Sequence, residues 1–65
     1  MSLANVNDLI LARQSLRTSI TRLRHAQVGK DPAMRLRLEE LIEACTEKTH
    51  EITRVIAQLN KEARQ

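Results

Sequence analysis

The chain has 65 residues, 42% of them hydrophobic and none aromatic, and its 11 Lys and Arg against 8 Asp and Glu give a formal net charge of +3. Chains this short rarely draw more than ~3–5 kcal/mol from one core, no Phe, Tyr or Trp fills it, and the lone Cys45 cannot form a disulfide within the chain. The missing burial is therefore expected from a second chain, and a catalytic domain is not expected.

The first predicted helix runs from about residue 5 to 28. Asn5 is a candidate N-cap, with Asp8 three residues on as a weak form of the capping box. Val6, Leu9, Leu16, Ile20 and Leu23 form its apolar stripe, with Leu3 and Ile10 beside it. Ala12, Ser19 and Ala26 recur every seven residues along the other edge, where small side chains allow a neighbouring helix to approach closely. The longest apolar run, Leu9 to Ala12, is far below the roughly 20 residues that cross a bilayer. The N-terminus also lacks a basic segment followed by an apolar one. A cytoplasmic chain that engages no membrane is expected, and an unpaired cysteine suits a reducing compartment.

A turn is expected over residues 29–31, where Gly29-Lys30-Asp31-Pro32 holds the only strong punctuation in the sequence. Gly29 suits the positive φ after a helix end, Asp31 suits an N-cap, and Pro32 suits the first helical position, which needs no amide donor. The second helix is expected over about 32–63. Leu38, Ile42, Cys45, Thr49, Ile52, Ile56, Leu59 and Ala63 alternate steps of four and three, the seam of a heptad helix. Met34, Leu41 and Val55 widen that seam on one side.

With so short a connection the helices fold back as an antiparallel hairpin, an all-α fold of one domain. The expected levels place Leu23 near Glu39, Ile20 near Ile42, Leu16 near Cys45, Leu9 near Ile52 and Val6 near Ile56. Arg13 falls opposite Thr49 and Lys48, as a register-fixing charge or one that snorkels outward along its stem. Two helices leave each stripe half wet, so dimerisation into a four-helix bundle, or a helical hetero-partner, is expected. The expected partner interface comprises Val6, Leu9, Ile10, Leu16, Ile20, Leu41, Ile42, Ile52, Val55, Ile56 and Leu59.

Charge divides the hairpin. Residues 1–30 carry five basic and one acidic side chain, and residues 31–65 carry six and seven. Arg22, Arg24, Lys30, Arg35 and Arg37 gather at the turn end against Asp31, with His25 among them, as a possible anion or nucleic-acid patch. Without aromatic side chains, base stacking is unavailable and only backbone or groove contacts are left. Glu39, Glu43, Glu47 and Glu51 form an acidic row at steps of four.

No catalytic residue, cofactor-binding motif, metal site or small-molecule substrate is expected. Glu47 and His50 have the Glu-x-x-His spacing of di-iron bundles but fall off the seam, and the first helix offers only Asp8 as a further carboxylate. Cys45 lies on the seam, where it behaves as a small hydrophobe rather than an exposed thiolate. A nucleophile with its base and a Gly-rich phosphate loop are both missing.

In length, central turn and paired helices the chain resembles the Rop family of plasmid copy-number regulators, homodimeric four-helix bundles that bind RNA duplexes. It departs from them in having no surface aromatic. Through Leu38, Ile42, Ile52, Ile56 and Leu59 in a long second helix after a mid-chain turn, it is also similar to the two-helix co-chaperones of type III secretion, which hold a partner subunit on an apolar face. Neither resemblance assigns a functional residue. The wide apolar stripes imply a small non-enzymatic protein-protein interaction module, an adaptor, small chaperone or structural subunit, and the basic turn end gives the alternative of a bundle that binds RNA or DNA backbone.

Overall fold

The computed structural model describes residues 3–64, with side chains from residue 5 onward. It contains two helices, α1 (Leu3–Ala26) and α2 (Pro32–Ala63), packed against each other along a body of 52 × 14 × 10 Å. Among the described residues there is no helix long and apolar enough to cross a membrane.

The turn follows from its four punctuating residues. Gly29 takes φ 76°, a conformation that costs an ordinary L-residue about 1–2 kcal/mol and glycine little. Asp31 is extended at φ −69°, ψ 165°, and its Oδ1 accepts the amide of Met34 at 2.8 Å, with Pro32 following inside the helix. That bond satisfies one of the four donors that a helix start leaves free.

Two expected details are corrected. α1 ends at Ala26, not near Val28, because the chain tightens there: Val28 N–H donates to His25 O and Lys30 N–H to Gln27 O, both at 3.2 Å. These three-residue bonds reverse the chain through Gly29, leaving Val28 80% exposed. Asn5 is not an N-cap, since α1 begins at Leu3 and passes through it. Asn and Asp cost a helix interior only about 0.7 kcal/mol each, too little to stop one that is packed along a seam.

The packed seam has the heptad spacing expected of it. On α1 the half-buried residues are Val6, Leu9, Ile10, Arg13, Leu16, Ile20 and Leu23, followed by Gln27 in the turn. On α2 they are Leu38, Cys45, Thr46 and Ile52, around the buried Ile42, Thr49, Ile56 and Leu59. Ala63, expected on the seam, is exposed. Leu3 falls outside the described side chains.

Thr49 replaces a third isoleucine in the row Ile42–Thr49–Ile56 and is only 7% exposed. Its hydroxyl donates to Cys45 O at 2.8 Å, so the buried oxygen is satisfied within its own helix. Thr46 donates to Ile42 O and Thr53 to Thr49 O in the same manner. With Ile42, Ile56 and Leu59 as the only buried apolar side chains among the described residues, the hairpin encloses little core.

Candidate interaction face

Two hydrogen bonds lock the antiparallel register. Arg13 Nη1 donates to Thr53 Oγ1 at 3.1 Å, and Gln27 Nε2 donates to Glu39 Oε2 at 3.0 Å. The donors and the acceptors are each fourteen residues apart, two heptads in opposite directions. Gln27 Nε2 also reaches Arg35 O at 3.3 Å, the backbone level expected from the sequence. The side-chain contacts lie one turn beyond that level because side chains lean toward the start of their own helix. Arg13 therefore meets Thr53 rather than Thr49, and Lys48 turns away to pair with Glu51 at 3.1 Å.

Arg13 is half-buried, and its Nε is enclosed without a hydrogen-bond partner while Nη1 emerges to Thr53. An unmet buried donor costs about 1–3 kcal/mol. This layer therefore contributes more to register than to stability.

The hairpin has two unlike faces. Arg17 and Arg24 of α1 line an open groove with Thr46, His50 and Thr53 of α2, which places those rows on one polar face. On a heptad helix the rows flanking the other side of each seam are Ala12, Ser19 and Ala26 in α1 and Met34, Leu41, Lys48 and Val55 in α2. These share the opposite face. Met34, Leu41 and Val55 are 45%, 53% and 42% exposed there.

The expected interface residues thus divide into two sets. Ile42, Ile56 and Leu59 are consumed by the contact between α1 and α2, and Val6, Leu9, Ile10, Leu16, Ile20 and Ile52 are half-covered by it. Leu41 and Val55 stay exposed. Met34, which the sequence placed only as a flank of the seam, belongs with them. Its spacing of seven from Leu41 was the available signal.

Arg22, Arg24, Lys30, Arg35 and Arg37 are all exposed around the turn. Among the described residues the one ion pair is Lys48–Glu51, so none of these five is neutralised by a carboxylate of its own chain. Glu47 and His50 are exposed, and no cluster of metal-ligating side chains occurs among the described residues. Cys45 is a half-buried free thiol. No protein-family model matches the chain, and no curated protein or solved structure does either.

Proposed function

We propose that this chain is a small non-enzymatic interaction module that works by helix-to-helix association through the face bearing Met34, Leu41 and Val55. The observation that carries this reading is the exposure of those three side chains on one flank of a hairpin in which, among the described residues, only three apolar side chains are buried. Covering a Leu or Val fully is worth roughly 1.5–3 kcal/mol, so this face offers more burial than the polar groove opposite. A second copy completing a four-helix bundle and a helical subunit of a larger assembly are both partners of that chemistry. The half-buried free thiol of Cys45 suits the cytoplasm.

The test is sedimentation of the wild type and of Leu41→Asp/Val55→Asp over micromolar to millimolar concentration, with helicity followed in parallel. The variant is expected to stay helical and lose association. Identical sedimentation of two folded monomers at every concentration would overturn the reading.

One observation favours a second reading. Five exposed cations around one turn without an ion-pair partner attract phosphate. On that reading Arg22→Gln/Arg24→Gln/Arg35→Gln abolishes salt-sensitive binding to duplex RNA or DNA. The reading is dropped if the unchanged protein shows no such binding.

A further inference from the structure

We infer that the occupant of the Leu41–Val55 face is a second copy of this chain, laid antiparallel so that the two basic turns sit at opposite poles. This rests on the association reading above and names its partner and geometry.

Area points to a large missing contact. The chain exposes 5205 Å², whereas a folded monomer of 7.5 kDa is expected to expose roughly 4,200 Å². The excess of about 1,000 Å² is close to the roughly 800 Å² that each partner buries in a stable specific complex.

The pattern on the face is self-complementary. In an isologous contact each residue meets the one at equal distance on the other side of the two-fold axis, so such mates must suit each other. On α2, Leu41 and Val55 lie seven residues either side of Lys48, and Met34 and Glu62 lie seven further out, where the thioether meets the aliphatic stem of the glutamate. On α1, Asp8 and Arg22 lie seven residues either side of Ser15, and Ala12 and Ser19 straddle the same level. Ser15 and Lys48 are themselves at one level of the hairpin. Their numbers sum to 63, between the sums of 62 for Gln27–Arg35 and 66 for Arg13–Thr53 and Gln27–Glu39. One two-fold axis through that level therefore serves both helices.

With the axis there, α1 packs on α1 and α2 on α2 of the other copy. Leu41 meets Val55 of the second copy, the small Ala12 and Ser19 let the first helices close, and Asp8 meets Arg22 twice. Lys48, at the axis, faces Lys48 of the second copy, and the Glu51 that pairs with each at 3.1 Å within its own chain offsets the like charges. Turning the second copy end for end reverses all this: α2 then packs on the other α1, Arg37 approaches Arg22, Glu51 approaches Asp8, and both basic turns share a pole. Antiparallel packing instead separates the turns by most of the 52 Å length, far beyond the ~8 Å screening length at physiological salt.

Asp8 and Arg22 are fourteen residues apart in one helix, about 21 Å, so they cannot pair within a chain. A charge-swap experiment therefore reads the contact between copies alone. Asp8→Arg and Arg22→Asp are each expected to weaken self-association about tenfold. An equimolar mixture of the two should restore it, because in the mixed pair the introduced arginine faces the introduced aspartate while the native Arg22 faces the native Asp8. Spin labels at Val28→Cys in a Cys45→Ser background should lie more than about 40 Å apart.

Strengthened association of Asp8→Arg, or labels closer than about 30 Å, would overturn the antiparallel arrangement while leaving the association reading intact. A wild-type monomer at millimolar concentration would overturn the second copy as occupant. Loss of association in Leu41→Asp/Val55→Asp tests the face itself, independently of orientation.

Discussion

Replacing Ile56 by Ala separates the core of the hairpin from its partner face. Ile56 is 8% exposed, in the row it shares with Ile42 and Thr49. The change removes three carbons from a buried site, about 2.4 kcal/mol at ~0.8 kcal/mol per methylene, with a cavity term that brings Ile→Ala losses to roughly 2–5 kcal/mol. A 65-residue chain has a total stability of roughly 3–10 kcal/mol, so this single change consumes a large part of it. At a urea dependence of ~1 kcal/mol per molar, the unfolding midpoint followed by far-ultraviolet circular dichroism should fall by about 2 M. Leu41→Ala, at a side chain 53% exposed, should shift the unfolding of an unassociated hairpin by less than about 1 kcal/mol. A fall of under ~0.5 M for Ile56→Ala at matched protein concentration would refute the placement of the core along Ile42, Thr49 and Ile56.

Three further substitutions probe the turn and the polar layer. Arg13→Leu forfeits the Thr53 hydrogen bond but frees the buried, unpartnered Nε, so the thermal midpoint should rise by several degrees, on the order of 1 kcal/mol; a fall would contradict the reading of Arg13 as a costly register residue. Asp31→Ala removes the acceptor of the Met34 amide and should cost about 1 kcal/mol in chemical denaturation, an unchanged midpoint being the contrary result. Gly29→Ala meets no atom within 4 Å of its new Cβ, so its whole cost comes from φ +76°. That cost should be about 1–2 kcal/mol and smaller for Gly29→Asn; equal, negligible effects of both would show that the turn does not need the left-handed conformation.

Much of the fold was legible because its signals are local. The 3-and-4 steps from Leu38 to Leu59 set the face of α2, and Gly29, Asp31 and Pro32 set the turn and the start of α2. The end of α1 was less legible. Gln27 and Val28 have no strong bias against helix, and the three-residue bonds that end it are backbone bonds that no side chain announces. In the sequence Gln27 is an ordinary residue before the turn, yet it spans the helices to Arg35 and Glu39. Its identity carries no such signal, and only its spacing of fourteen from Arg13 does. The interface was blurred for a related reason. Periodicity marks every apolar residue of a wide stripe alike, whereas the folded pair decides which of them are spent internally, as with Ile42 and Ile56, and which stay exposed, as with Leu41 and Val55.

The central claim, that the spare apolar face of this hairpin is covered by another chain, is tested most directly by how cooperative unfolding depends on protein concentration. With a second copy as the covering chain, the thermal midpoint followed by circular dichroism should rise by several degrees between about 5 and 500 µM, because mass action stabilises a folded state that is also an associated one. A sharp, concentration-independent midpoint from a particle of 7.5 kDa would contradict it.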